Sequence, residues 1–431
     1  MLKPWQALTA RGRLLLLFGV LVVLASMIAG ERDVMRIGLL LIALPLIAAI
    51  LVARSRLRLS CDRSVNPTQV SLGQHLEGRI VLGQEGLLPA GIILLEDQVP
   101  PELGNRPRFV VDRAEMHWER DIRYPLIGMV RGRFHTGPLL VRTTDPFGLI
   151  QLDRHFHARS EVLVTPAIVP LGSLRGIGGG GSTGEERPHR VGVLGSDDVL
   201  VREYRQGDDV RRVHWRSTAK RGELMVRREE QAWDPSASIM IDSRVGAHAG
   251  EGSKSSFEWA VSAAASIGTR FLDEGFSVEM YHAEGSMHLT KTAAEHTMAT
   301  RQAMLHRLTD ITLQRVSTMH YGLSALTIDS TGQVLVAITG RLSAADATAL
   351  ASARKFRTQG LAILLDVDSF AGRAAVPESD PVDASRRSPL DLAADILVDA
   401  NWRVVTISRG TDVATAWTKL EQTAPATMGA A

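Results

Sequence analysis

The chain has 431 residues, enough for two or three domains that each bury a core. Its 49 basic and 47 acidic residues nearly cancel, which excludes a global preference for polyanions and leaves only local ones. A single cysteine, Cys61, excludes an intramolecular disulfide framework and any multi-cysteine zinc site.

In chain order, residues 14–30 and 37–53 are two 17-residue runs without a charge, near the lower limit for crossing a bilayer. Arg11 and Arg13 before an apolar run also suit a signal peptide, but the second run comes after only "ERDVMR", which favours a retained two-span hairpin. Lys3, Arg11 and Arg13 precede the hairpin and Arg54, Arg56 and Arg58 come after it. Both ends are therefore expected in the cytoplasm, giving a multi-pass cell-membrane protein with most of its chain cytoplasmic.

Residues 57–169 show short alternating runs broken by Gly and Pro, the pattern of an antiparallel β-sandwich of immunoglobulin-like size. Within them, Pro146 and Gly148 place Phe147 at a turn, where it is expected to plug a buried corner rather than act as a docking knob. His155 and His157 alternate on one strand but have no third ligand motif, and Cys61 has no partner histidine. Residues 170–190 include four consecutive glycines and read as a flexible linker or loop; a phosphate-binding loop, the sharper alternative, fails because no strand feeds them directly and no Gly-Lys-Ser/Thr comes after them.

Residues 201–231, "VREYRQGDDVRRVHWRSTAKRGELMVRREEQ", hold eight arginines, one lysine and six acids. Gly207 permits a turn, Asp208 or Asp209 can cap a helix over 210–221, Gly222 stops it, and an extended segment comes next. Arg212, Arg216 and Lys220 fall on one face of that helix. Arginine density, with Tyr204 and Trp215 as stacking platforms, suggests a phosphate or nucleic-acid grip. The interleaved carboxylates weaken that reading, since a phosphate-binding surface leaves its cations unpaired. The expectation is a partly buried network of Arg202, Glu203, Tyr204, Asp208, Arg211 and Trp215 joining the β-sandwich to the C-terminal α/β region. His214 beside Asp208 and Asp209 lacks a fixed nucleophile, and Ser217 and Thr218 read as ordinary helix residues.

From Ser236 onward, apolar strand runs alternate with helical stretches at 256–275, 293–309, 343–357 and 411–421. This predicts a mainly parallel sheet covered on both faces.

The 202–230 stretch, with Arg202, Glu203, Tyr204, Gly207, Asp208, Arg211, Arg212, Trp215 and Arg216, closely resembles the signature of the bacterial domain-of-unknown-function family 58. The two N-terminal runs and "YPLIGMVRGRFHTGPLLVRTTDPFGLI" fit the same family. The resemblance implies a von Willebrand factor A-like C-terminal domain and a genomic association with MoxR-type AAA+ ATPases, with no established activity or cofactor. Metal-binding A-domains end their first strand with Asp-x-Ser-x-Ser. The corresponding stretch keeps Asp242 but puts Arg244 and Gly246 at the hydroxyl positions, and Thr339-Gly340 stands where a later Asp-Gly belongs. Asp242 thus marks a degenerate site, and no metal is expected.

The expected organisation is a transmembrane hairpin (1–56), a β-sandwich (57–169), a Gly-rich linker (170–190), a signature region (191–235) and an A-type α/β domain (236–431). The expected function is that of a non-enzymatic, membrane-anchored interaction protein partnered by a MoxR-type ATPase in an envelope-related assembly. The alternative is binding of anionic lipid or nucleic acid through the arginine-rich 202–228 segment, with nucleic acid the less favoured.

Overall fold

The structure, a computed structural model, describes residues 7–54, 59–85, 92–111, 117–145, 147–173, 201–204, 213, 215–227, 235–287, 297–329, 334–354, 359–372 and 388–423. Two apolar helices open it, α1 (Ala10–Ala29) and α2 (Arg32–Arg54), each long and apolar enough to cross a bilayer. Both outrun the uncharged stretches, because Arg11, Arg13, Arg32 and Arg36 continue the helical geometry at the ends. Thr9 caps α1 by accepting from the Gly12 N–H, and Gly30 ends it at φ +71°. Gly19 and Gly38 let the helices close on each other: a Cβ on either would lie within 3 Å of an Ile42 or Val23 side-chain carbon. Leu14, Leu17, Leu24, Ile37, Leu40 and Ile47 point outward, an arrangement suited to lipid.

Ten strands come next: β1 (Leu59–Asn66), β2 (Gln69–Ser71), β3 (His75–Glu85), β4 (Ile92–Asp97), β5 (Arg108–Val111), β6 (His117–Ile127), β7 (Gly132–Thr136), β8 (Leu139–Thr144), β9 (Gln151–Phe156) and β10 (Ser160–Thr165). They form three sheets, β1-β3-β6, β2-β10-β7 and β5-β4-β8-β9, around one core that includes Ile80, Leu82, Ile93, Leu95, Leu139, Val141, Val162 and Val164. Alternate burial along β8 gives that strand one inward face. One pairing departs from the expected antiparallel pattern: β2 runs parallel to β10, in register from Gln69 opposite Leu163. Inside the core, Arg63 donates to Asp97, and Tyr124 donates its hydroxyl to the same carboxylate. Burial and the adjacent Asp97 push the Tyr124 hydroxyl well above its ordinary pKa.

The chain then crosses to the α/β domain. Leu171 is buried in that domain's core, the Val169 N–H donates to Ser266 Oγ, and Trp417 Nε1 donates to the Gly172 carbonyl. Residues 167–173 therefore pack as part of the α/β domain, so the expected linker start at 170 does not mark a break in packing. The short antiparallel pair β11 (Val201–Glu203) and β12 (Met225–Arg227) brackets helix α3 (Trp215–Arg221).

The α/β sheet contains β13 (Ser236–Ile241), β14 (Ser277–His282), β15 (Gly285–Met287), β16 (Val334–Thr339), β17 (Gln359–Leu365) and β18 (Arg403–Ile407), in spatial order β15-β14-β13-β16-β17-β18. All neighbours are parallel except β15, which returns antiparallel along β14. The strands are nearly continuous apolar runs because helices cover both faces. On one face Ile239, Ile241, Val336 and Ile338 pack against α4 (Ser256–Asp273), α5 (Thr297–Asp310) and α10 (Val413–Gln422). On the other, Met240, Leu335 and Ala337 pack against α6 (His320–Asp329), α7 (Ala344–Ala353) and α9 (Pro389–Asp399). A four-residue helix, α8 (Val367–Phe370), comes directly after β17.

Candidate functional site

Strand order in the sheet reverses between β13 and β16, and open α/β sheets hold ligands in the crevice outside the carboxyl ends at such a reversal. Here the crevice is filled from within. Asp242 stands just after β13 and is fully buried, and Arg244 folds its side chain back over it. Arg244 Nε donates to Asp242 Oδ1 at 2.9 Å and Nη2 to Oδ2 at 2.8 Å, a bidentate fork. Nη1 donates to Asp346 Oδ2 at 2.9 Å and to the Ser317 carbonyl at 3.3 Å, and Nη2 also donates to the Arg341 carbonyl at 3.1 Å. All five guanidinium N–H groups are thus engaged. Burial opposes the charge, but the bonds and attraction of Asp242 and Asp346 outweigh it, so the guanidinium is held above its ordinary pKa.

The surrounding turn is fixed to serve this pair. Ser343 caps α7, donates to Asp346 Oδ2 at 2.9 Å and so orients that carboxylate. His248 Nε2 lies 2.7 Å from the Asp242 carbonyl, which can only accept, so Nε2 carries the proton and Nδ1 faces Ser256 Oγ at 3.0 Å as an acceptor. Burial lowers the His248 pKa below its ordinary value, with Arg244 adding to the effect and Asp242 opposing it. Gly340 is required by close approach: a Cβ there would stand 1.9 Å from the Ala247 carbonyl oxygen. The Thr339 hydroxyl is buried without a hydrogen-bond partner among the described residues.

A divalent ion does not fit this arrangement. Both Asp242 oxygens are committed to the Arg244 fork, Oδ1 also accepts the Arg244 backbone N–H, and positions 244 and 246 carry no hydroxyl. His155 and His157 stack with ring centroids 6.4 Å apart, and the described residues contain no group of three His, Cys, Asp or Glu placed to hold a metal. Cys61 is a poor nucleophile, since burial pushes its thiol up to about 11 although Arg63 pulls the other way. His248 and Ser256 form a pair with the look of a base and a nucleophile, yet Ser256 is fully buried and also bonds Ala249.

The signature region differs from its expected layout. Val213 forms an antiparallel bridge with Val226, so the helix starts at Trp215 instead of 210. Val213, Met225 and Val226 are buried on this ribbon, and Thr218 Oγ1 accepts from the Met225 N–H at 3.0 Å. Gly222 adopts φ +76° and ends the helix. Trp215, expected in a partly buried network, is 67% exposed. The reason is compositional: "WRSTAKR" offers only Trp215 and Ala219 as apolar positions, too few for a stripe that docks. Arg216, Lys220 and Arg221 are also exposed, and none has an ion-pair partner among the described residues. Tyr204 is half-buried, and its N–H donates to the Leu224 carbonyl. Gly207, Asp208, Arg211, Arg212 and His214, and the side chains of Arg202 and Glu203, lie outside the described residues.

The joint between β-domain and α/β domain is built by residues of the "YPLIGMVRGRFHTGPLLVRTTDPFGLI" stretch whose joining role nothing in the sequence pattern flags. Arg131, between β6 and β7, pairs through Nε and Nη2 with both Glu258 oxygens at 3.0 and 2.8 Å. Its Nη1 donates to the carbonyls of Leu308, Thr309 and Ile311 at 2.7 to 2.9 Å, so it caps the end of α5. Arg133 forms a second fork to Asp310. A cleft of about 380 Å³ opens beside this joint, lined by Val130, Arg131, Val245, His248, Phe257 and Leu313 among others.

Among known proteins, the chain is 26% identical over 220 residues to the uncharacterized protein YeaD of Bacillus subtilis (strain 168), a match covering 48% of this chain and 51% of that one. The chain therefore spans about half the length of this curated relative. Among solved structures, it is similar over 25% of its length to the CARDB domain of a Pyrococcus furiosus protein, with 88% of that chain covered, 12% identity and a TM-score of 0.20. The Pseudomonas fluorescens alkylpurine DNA glycosylase AlkC is similar too, with 32% of this chain and 42% of that one covered, 14% identity and a TM-score of 0.17. Overlaps this small bear on neither fold nor function. Residues 200–367, which span the signature ribbon, the Asp242–Arg244 crevice and the sheet through β17, match the family described as protein of unknown function DUF58, and this part of the chain carries that family's domain.

Proposed function

We propose that this protein is a membrane-anchored, non-enzymatic interaction module that presents helix α3 to a protein partner. The observation that carries the reading is the exposure of Trp215 beside Arg216, Lys220 and Arg221, with no carboxylate paired to them among the described residues. Trp and Arg dominate protein–protein hot spots, and an exposed Trp on a surface helix gains most by burial against a partner. The partner the family resemblance suggests is a MoxR-type AAA+ ATPase in an envelope-related assembly. On this reading α1 and α2 cross the membrane as a hairpin and the rest of the chain is cytoplasmic. The β-domain is an immunoglobulin-like sandwich, and the α/β domain is of the A type, with the Arg244 guanidinium in place of the metal and no cofactor required.

The test is capture of the same organism's MoxR-type ATPase by the full-length protein in nanodiscs, with and without nucleotide. Binding that is lost in Trp215→Ala supports the reading; no binding in either nucleotide state ends it. Arg216 and Lys220, four residues apart on α3, favour a second reading, contact with anionic lipid headgroups or nucleic acid. That reading requires binding to anionic vesicles or oligonucleotides that weakens steeply with salt.

A further inference from the structure

The turn between β8 and β9 is fastened to the apolar hairpin. Thr9, the cap of α1, donates its backbone N–H to the Leu149 carbonyl at 2.9 Å and its hydroxyl to the Gly148 carbonyl at 2.7 Å. Leu8 pairs with Ile150 in an antiparallel bridge, and a Cβ on Gly12 would meet the Leu149 carbonyl oxygen at 2.4 Å. From the other helix, Ala48 is buried against Leu149 and Ile150, with Ala7, Leu15 and Ala49 around them. The turn therefore grips the start of α1 and the late part of α2, which lie at the same end of the hairpin.

Its shape is set internally. The Asp145 carboxylate accepts the N–H groups of Phe147 at 3.1 Å and Ile150 at 2.6 Å, the Gly148 N–H closes on the Asp145 carbonyl, and Gly148 takes φ +68°. Leu149 and Ile150 occupy the inward positions, so Phe147 projects outward and is 67% exposed. The buried corner expected for Phe147 is thus filled by its neighbours. A held-out phenylalanine on a rigid turn buries its ring in whatever medium surrounds the first turn of α1. Where α1 begins to cross a bilayer, that medium is the boundary between headgroups and hydrocarbon, and the exposed Arg11 lies beside Gly148 at phosphate height.

We propose that the Asp145–Ile150 turn seats the β-domain on the membrane, with Phe147 inserted into the interfacial layer next to the hairpin. The inference rests on the reading that α1 and α2 span the bilayer. The test uses full-length protein with Cys61→Ser, in nanodiscs of phosphatidylcholine and phosphatidylglycerol, carrying one nitroxide at a time through Phe147→Cys, Leu24→Cys or Tyr321→Cys. Leu24 lies within α1, and Tyr321 is exposed on α6. Collision with oxygen, which concentrates in hydrocarbon, is compared with collision with a water-soluble nickel chelate. The expected result is deep burial at 24, interfacial burial at 147 with oxygen favoured over nickel, and aqueous behaviour at 321. Aqueous behaviour at 147 with burial at 24 overturns the seating while leaving the spans intact. Aqueous behaviour at 24 defeats the spanning reading, and the seating falls with it. Since Phe147 contributes to no core cluster, its replacement leaves the fold in place to be measured.

Discussion

Arg244 and Arg216 sit 28 residues apart in the same family domain and have opposite surroundings. Arg244 is buried with every N–H group matched, whereas Arg216 stands on an exposed helix with no ion pair among the described residues. What separates them is convergence. Asp242 is supplied locally, but Asp346, the Ser317 carbonyl and the Arg341 carbonyl arrive from 73 to 102 residues away, on elements that the sheet brings to one end. On the seven-residue α3, Arg216 has no such partner among the described residues. A cation is architectural when the fold surrounds it with acceptors, and available for binding when the fold does not.

The strongest way to break this contrast is to remove the buried fork. Arg244→Ala leaves Asp242 buried without a counter-charge and is expected to cost about 3–5 kcal/mol, read as a loss of stability of the α/β domain in chemical denaturation. Arg244→Lys should recover little, because an ammonium cannot reproduce the bidentate geometry. A double variant, Asp242→Asn with Arg244→Leu, should cost less than the two single changes together, since it removes both charges. If Arg244→Ala costs under about 1 kcal/mol, burial and pairing do not make this residue architectural.

Arg131 supplies an intermediate case. Arg131→Ala removes the Glu258 fork and the α5 cap, and should cost about 2–3 kcal/mol in charged hydrogen bonds. The distinguishing readout is cooperativity: the β-domain and α/β domain should unfold in separate transitions in the variant. A single unshifted transition would show that residues 167–173 couple the domains without it.

How far these features are legible in the sequence depends on the range of each interaction. The apolar helices and the parallel strands are legible because their signals are local runs of apolar residues, and the 256–273 helix because its stripe ends near Gly275, at φ +85°. Helix Pro389–Asp399 escapes the sequence pattern of alternating strands and helices although its start is written locally: Ser388 accepts from the Asp391 N–H and Pro389 stands in the first turn. The joining role of Arg131 is not legible, although its stretch fits the family. Its partners lie 127 to 180 residues away, and no spacing in "MVRGRF" points to them. For Trp215, arginine and acid density suggests a network, while the decisive fact is how few apolar neighbours its helix offers. The Asp242 position is legible as a degenerate site, but the closure of the Arg244 fork requires Asp346 and two distant carbonyls.

The crevice should also respond to pH, by a smaller amount. The folded state holds His248 below its ordinary value of 6.5, so between the two values the unfolded chain binds a proton that the folded chain does not. Stability is therefore complete above about 6.5 and falls as pH drops through the window, with a slope of at most about 1.4 kcal/mol per pH unit. His248→Gln, which can keep a donor to the Asp242 carbonyl, should flatten this dependence. A wild-type slope unchanged in the variant would place the sensitivity elsewhere.

The smallest expected effect on stability sharpens the contrast most for function. Trp215→Ala and the pair Arg216→Ala with Lys220→Ala remove exposed side chains from a helix with no buried face, and each should shift unfolding by no more than about 0.5 kcal/mol. The same changes should abolish or strongly weaken capture of the proposed ATPase partner, because an exposed tryptophan flanked by cations contributes only when something covers it. A marked loss of stability in Trp215→Ala would mean that this side chain is covered in the folded protein, and that α3 belongs with Arg244 as architecture. Retained stability and retained capture together would leave the helix folded but move the docking surface away from it. The cleft beside Arg131, which opens across the joint between the two domains, would then be the next surface to vary.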